Sequence, residues 1–159
     1  MKHIFLILIL LSISLISISQ KFTLNEMINL NENDWDQFDT YVLAKGYEYY
    51  KADTDNNLDI RSYALRIEQN KSYYFITKTI GKGNSIRMLT VQTLKKQDYL
   101  FYKEQLKKYK FIYVKSQTEE NSITMEYKKE NLEVWISSIL NKDPENKKVA
   151  GYEISIKTE

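Results

Sequence analysis

The chain has 159 residues, and its 23 lysines and arginines against 21 acidic residues give a formal net charge of +2. A balance so close to neutral lacks the positive field on which nucleic-acid binding depends, so we expect no nucleic-acid partner. With no cysteine and only one histidine, His3, the rest of the chain has no residues for a disulfide framework, a histidine-ligated zinc site or a Ser-His-Asp or Cys-His nucleophile, and the sequence predicts no cofactor.

The first predicted element is a secretory signal peptide. Lys2 and His3 precede an apolar and serine-rich run of 16 residues from Ile4 to Ser19. Small residues two positions apart at its end predict cleavage after Ser19, which removes residues 1–19. An uncleaved anchor is the alternative, although the run is shorter than the roughly 20 residues that span a bilayer. We therefore expect a secreted or periplasmic protein that touches a membrane only through an uncleaved signal, if at all.

Two helices and a strand follow in the predicted order. Thr23 to Glu26, "TLNE", has the form of a capping box and opens a short helix through Leu30. Asn33 or Asp34 can cap the second helix. Its apolar positions Trp35, Phe38 and Val42 are three and four residues apart, which is the spacing of one helix face. Tyr47 and Tyr49 are two residues apart, which is the spacing of one strand face, so the helix is predicted to lead into a strand. Gly46 stands where that helix needs a left-handed terminus.

The same order of elements is predicted a second time. Shifted by 64 residues, the first set of positions falls on Tyr99, Tyr102, Leu106, Phe111 and Tyr113. Apolar and polar residues alternate at 62–69, 72–80 and 87–93, which predicts three strands, and these correspond to three predicted strands at 122–129, 132–140 and 152–158. In this alignment Tyr63 falls on Ile123 and Ile76 on Ile136, and Thr93 and Leu94 open the second copy as Thr23 opens the first.

The predicted fold is therefore α+β, a tandem repeat of one helix plus a four-stranded antiparallel sheet, with the helices on one sheet face. Its two copies are residues 20–93 and 94–159, expected to form one compact domain. This element order, over residues 23–158, resembles the tandem helix-plus-four-strand repeats of the β-lactamase inhibitor protein family. It resembles less closely the small envelope lipoproteins of the outer-membrane assembly machinery. No sequence motif accompanies either resemblance.

A lysine face on the second long helix is one candidate binding surface. Lys96, Lys103, Lys107 and Lys110 fall near one side, and residues 95–115 carry seven lysines against two acids. The ordinary interpretation is a solvated face of an amphipathic helix. The alternative is a docking site for an anionic partner, such as a surface polysaccharide, a lipid headgroup or an acidic protein.

Three strand aromatics, Tyr50, Tyr74 and Trp135, are the other candidates. Exposed together on one sheet face, they form a platform for sugar rings or for a partner protein. Buried under the helices, they belong to the core.

Two groups of acidic residues are candidates for metal binding or catalysis. Asp53, Asp55, Asn57 and Asp59 alternate as calcium ligands do, but a solvated hairpin loop accounts for them as well. Glu48, Glu126 and Glu133 alternate with apolar neighbours on strands, which predicts outward-facing charges rather than catalytic acids.

These observations favour an exported, non-catalytic module that binds a protein or a cell-envelope component. A carbohydrate-binding module that uses exposed sheet aromatics is one alternative. A hydrolase that works with two carboxylates and no histidine is the other.

Overall fold

A computed structural model describes residues 21–158 except Asn56, residues 69–70 and residues 141–148, and it leaves out the side chains of residues 66–68, 71–73, 84, 149 and 150. The predicted signal peptide lies outside the described residues. Within them, every helix is too short or too polar to cross a membrane.

Three helices and eight strands make up the described chain. The helices are α1 (Leu24–Glu32), α2 (Trp35–Ala44) and α3 (Lys96–Lys108). The strands are β1 (Glu48–Asp55), β2 (Leu58–Glu68), β3 (Lys71–Gly81), β4 (Arg87–Thr93), β5 (Ile112–Glu119), β6 (Ser122–Lys129), β7 (Leu132–Leu140) and β8 (Val149–Thr158). All eight strands form one open antiparallel sheet in the order β1-β2-β3-β4-β8-β7-β6-β5. The predicted α+β class with antiparallel strands is confirmed.

The hydrophobic core lies between the helices and one face of this sheet, which we call the covered face. Buried helix side chains such as Phe38, Leu30 and Leu106 belong to the same cluster as buried strand side chains such as Ile76 and Ile154. Alternate residues of each strand point to the opposite side, which we call the open face. None of the three described helices packs there.

The predicted start of helix α1 and the predicted start and end of helix α2 are found in the structure. Thr23 and Glu26 form the capping box, with the Glu26 backbone donating to Thr23 Oγ1 at 3.2 Å and the Thr23 backbone donating to Glu26 Oε2 at 2.7 Å. Asp34 caps α2. Gly46 has φ of +86°, a conformation that residues with a Cβ rarely adopt.

The expected opening of a second short helix at Thr93 and Leu94 is wrong. Thr93 is the last residue of β4, and α3 begins directly after Lys95. The Thr93 hydroxyl accepts from the Lys95 backbone at 3.1 Å and donates to Asp98 Oδ2 at 3.1 Å. Thr93 therefore joins the strand to the first turn of α3 and leaves no room for another helix.

Two buried charged side chains hold the helices against the covered face. Lys78 is fully buried, and its ammonium donates to the carbonyls of Leu30, at 2.7 Å, and Asn33 at the C-terminal end of α1. Asp98, in the first turn of α3, is 4% exposed, accepts from the Tyr74 hydroxyl at 2.5 Å and pairs with Lys21 at 2.6 Å. These hydrogen bonds and the ion pair offset the free-energy cost of burying each charge.

Candidate functional site

A straight row of side chains crosses the open face, one from each strand. From one sheet edge to the other, each lies opposite the next: Lys51, Ser62, Thr77, Thr90, Ser155, Trp135, Glu126 and Lys115. We call this the central row. It joins hydroxyl groups, one indole and one carboxylate, with a lysine at each edge.

Hydroxyl groups pair across neighbouring strands in the middle of this face. The three pairs are Ser62 with Thr77 at 2.9 Å, Thr90 with Ser155 at 2.9 Å and Thr124 with Ser137 at 2.8 Å. Because a hydroxyl has one donor and two acceptor sites, each pair keeps hydrogen-bonding capacity for a further group.

A depression of about 540 Å³ lies at the centre of the open face. Side chains of β3, β4, β6, β7 and β8 line it (Thr77, Thr79, Met88, Thr90, Gln92, Thr124, Trp135, Ser137, Glu153 and Ser155). We call it the Trp135 depression, because the indole is the largest group in it. It combines one aromatic surface, one thioether, an amide, a carboxylate and several hydroxyls.

Alternating charges fill the part of the open face between the depression and the β5 edge. Lys128 contacts both Glu126, at 3.8 Å, and Glu133. Lys115 lies 3.5 Å from Glu126, and Lys157 lies 3.8 Å from Glu133. Lysines therefore balance both glutamates of this region.

The three candidate aromatics do not lie together. Trp135 is partly exposed on the open face, and Tyr50 is 55% exposed near the β1 edge, with its ring 5.5 Å from that of Phe75. Tyr74 is buried on the covered face, where its hydroxyl donates to Asp98. A binding platform that includes Tyr74 is therefore wrong, because Tyr74 belongs to the core.

The lysine candidates lie on and just after α3. The Lys103 side chain is partly buried, with its ammonium 5.5 Å from the centre of the Tyr99 ring. Lys107 is exposed. Lys110 is exposed but stands beyond the end of α3, with φ of +60° and its backbone donating to Lys107 at 3.0 Å. These lysines are thus separate from the open face.

The acidic candidates fall at the β1–β2 hairpin and on strands of the open face, where Glu126 is partly buried and Glu133 is buried. Asp53 and Asp55 lie on β1 and Asp59 on β2, where Thr54 donates to both Asp53 and Asp59. Across the described residues, no group of three or more acidic or histidine side chains has a geometry that could hold a metal ion. Glu48 is exposed on β1, far in strand order from Glu126 and Glu133. A carboxylate hydrolase stays a prediction.

Several residues of the Trp135 depression did not stand out in the sequence. Gln92 and Glu153 face each other across β4 and β8, and the Gln92 amide donates to Glu153 Oε2 at 2.9 Å. They alternate with the buried Val91 and Ile154, so strand alternation alone assigns them to the open face. Alternation does not predict the order of the strands in the sheet, and that order is what makes Gln92 and Glu153 neighbours.

Comparison of the chain with models of known families, with curated proteins and with solved structures found no match in any of the three. The resemblance drawn from element order therefore stays a prediction.

Proposed function

We propose that this chain is an exported, non-catalytic module that binds a partner protein through the open face of its sheet. The observation that carries the proposal is the central row together with the Trp135 depression. The face spans eight strands, and no described helix covers it. Its side chains combine an aromatic anchor, free hydrogen-bonding capacity and paired charges, which is the mixture that protein interfaces use.

The size of the face fits such a role. Eight strands spaced about 4.8 Å apart span roughly 33 Å, and six residues along each strand add about 20 Å. The product is on the order of 660 Å² before side-chain relief is counted, which is comparable with the roughly 800 Å² that each partner buries in a specific interface.

A capture experiment tests this proposal. Residues 20–159, immobilised, are incubated with an extract of the producing cells, and bound proteins are identified. The variant Thr90→Arg places a long cation at the centre of the open face, and we expect it to abolish capture while thermal unfolding stays unchanged.

The matched control is Lys107→Glu on the exposed side of α3, which we expect to capture the same protein. If Lys107→Glu fails to capture the protein while Thr90→Arg still captures it, the interface is the lysine face of α3 and not the open face.

Carbohydrate binding is the second candidate, because Trp135 lines the same depression as the amide of Gln92 and the carboxylate of Glu153. Aromatic faces stack on sugar rings, and amides and carboxylates hydrogen-bond to sugar hydroxyls. Binding of oligosaccharides that Trp135→Ala removes, with no captured protein, would favour this candidate.

We also infer that the chain is a tandem repeat, with copies in residues 20–93 and 94–159. Both β1 and β5 carry a bulge at matching places, between Tyr49 and Lys51 and between Tyr113 and Lys115. Tyr49 lies opposite Tyr63 and Tyr113 lies opposite Tyr127. The Thr90 and Ser155 pair occupies the junction of the two halves, where β4 meets β8.

These registers support a different alignment of the middle strands from the one that alternation predicts. Tyr63 then corresponds to Tyr127 rather than to Ile123, and Ile76 corresponds to Val134 rather than to Ile136. Gly46 and Lys110, both with positive φ, correspond at the two helix-to-strand junctions. Thr77 and Trp135 occupy equivalent positions, as do Ser62 and Glu126, so an indole and a carboxylate distinguish the second half of the central row from the first.

A further inference from the structure

Glu153 is the one charged side chain that lines the Trp135 depression among the described residues. Its carboxylate accepts from two neutral groups, the Gln92 amide at 2.9 Å and the Ser155 hydroxyl at 3.4 Å. Within the described part of the chain, no lysine or arginine lies within ion-pairing distance of it. The two other glutamates of this side of the open face, Glu126 and Glu133, each contact lysine. Glu153 is thus the uncompensated negative charge at the centre of the proposed binding face.

Trp135 and Glu153 are diagonal neighbours on adjacent strands. Trp135 lies opposite Ser155, and Glu153 lies opposite Ser137. Diagonal neighbours have Cα or Cβ atoms about 7–8 Å apart. That separation leaves space for a flat group to lie against the indole and to reach the carboxylate from the same position.

A guanidinium group fits this arrangement better than other protein groups do. It is planar, it stacks on aromatic faces, and its five N–H donors match carboxylate oxygens in pairs. The Glu153 carboxylate keeps acceptor capacity beyond its two present hydrogen bonds, since an ionised carboxylate offers about four acceptor sites. The hydroxyls of Thr90 and Ser137 line the same depression and can accept the remaining donors.

We propose that the Trp135 depression binds the guanidinium of an arginine side chain that the partner protein presents. This inference rests on the proposed function, since it names the chemistry that the open face recognises. The guanidinium lies against the Trp135 indole and pairs with Glu153, and the lysines around Glu126 and Glu133 keep other cations from the neighbouring part of the face.

A direct test uses the blocked peptide acetyl-Gly-Arg-Gly-amide as the probe, titrated into residues 20–159 while the Trp135 indole N–H signal is followed by NMR. The variant Trp35→Phe assigns the two indole signals. The matched probe replaces arginine with citrulline, which keeps the shape and removes the charge. We expect saturable shifts of the Trp135 signal with the arginine peptide and at least tenfold weaker binding of the citrulline peptide.

Glu153→Gln, which keeps the size of the side chain, is expected to weaken the arginine peptide at least tenfold. Glu119→Gln on β5 makes the same change of net charge away from the depression and is expected to leave binding unchanged. Equal binding of the two peptides, undiminished binding by Glu153→Gln, or no shift at all would overturn the inference. If the arginine peptide does not bind while Thr90→Arg still abolishes capture of a protein, the open face remains the interface and only the proposal of an arginine ligand is contradicted.

Discussion

The two faces of the sheet use polar residues in opposite ways. On the covered face, Lys78 and Asp98 are almost fully buried, and backbone carbonyls, hydroxyls and Lys21 satisfy them. On the open face, polar side chains pair with one another, as the partly exposed Thr90 does with the buried Ser155. The first kind of polar group holds helices in place, whereas the second is available to a partner.

Under the function that we propose, this difference means that separate faces of the sheet serve folding and binding. Because the main hydrophobic cluster lies on the covered face, the partly exposed side chains of the open face can change with little cost to stability. The same substitution on the two faces should therefore have very different effects on the free energy of unfolding.

The largest contrast is expected between two acids. Asp98→Ala leaves Lys21 and the hydroxyls of Tyr74 and Thr93 without their shared acceptor, so we expect a loss of about 3–5 kcal/mol in the free energy of unfolding. Glu153→Ala on the open face should change it by less than about 0.5 kcal/mol. Urea unfolding measures both values, and similar losses would show that the open face contributes to the core.

A pH profile distinguishes two lysines. Burial, with repulsion by Arg87 as the next cause, lowers the pKa of Lys78 to about 8 from the ordinary 10.5. Between these two pH values the folded protein releases this proton while the unfolded chain retains it, so stability rises with pH through the window, by about 1–3 kcal/mol.

Lys78→Met should remove that rise, and Lys157→Met on the open face should preserve it. Urea unfolding from pH 7.5 to 9.5, taken as the difference between each variant and the unmodified chain, makes the comparison. A rise that persists in Lys78→Met would assign it to another group.

Two tyrosines give a smaller contrast. Tyr74→Phe removes the hydroxyl that donates to buried Asp98, and we expect a loss of about 1–3 kcal/mol. Tyr50→Phe, at a position that is 55% exposed, should have no measurable effect. Thermal unfolding of both variants tests the pair, and a larger effect at Tyr50 would reverse the assignment of faces.

The smallest effect is expected at the centre of the open face. Thr90→Val keeps the shape of the side chain and removes the hydroxyl that pairs with Ser155. Since Thr90 is partly exposed and the buried Ser155 hydroxyl also donates to Glu153 at 3.4 Å, we expect the free energy of unfolding to change by about 0.5 kcal/mol or less. A loss above about 2 kcal/mol, measured by urea unfolding, would place this pair among the structural contacts.

Local signals predicted the helices and turns well because their causes are local. The capping box at Thr23, the cap at Asp34 and the left-handed Gly46 each depend on neighbouring residues alone. The antiparallel α+β class also followed, since alternating strands separated by short polar loops favour antiparallel neighbours.

The register of strand pairing, and the sheet face to which each side chain points, could not be predicted in the same way. Alternation has a period of two residues, so a slip of four residues leaves the pattern intact, and alternation alone therefore aligns Tyr63 with Ile123. The bulges in β1 and β5 that set the register arise from pairing. Tyr74 and Phe75 are both aromatic, so their sequence did not decide which of them is buried.

The candidate site was predicted only in part. The sequence indicates Trp135, Tyr50 and Tyr74 as candidates without fixing the face that each occupies, and the structure has Trp135 and Tyr50 on the open face but Tyr74 on the covered face. Gln92 and Glu153 come from distant parts of the chain, and only the adjacency of β4 and β8 brings them together. The sequence contains no local signal of that adjacency.

The most direct test of the proposed separation of faces is site-specific photocrosslinking in the producing cells. A photoreactive phenylalanine analogue replaces Thr90 on the open face in one strain and Lys107 on α3 in another. We predict a covalent adduct with one partner protein from position 90 and none from position 107. An adduct from position 107 alone would contradict the assignment of the open face as the binding surface.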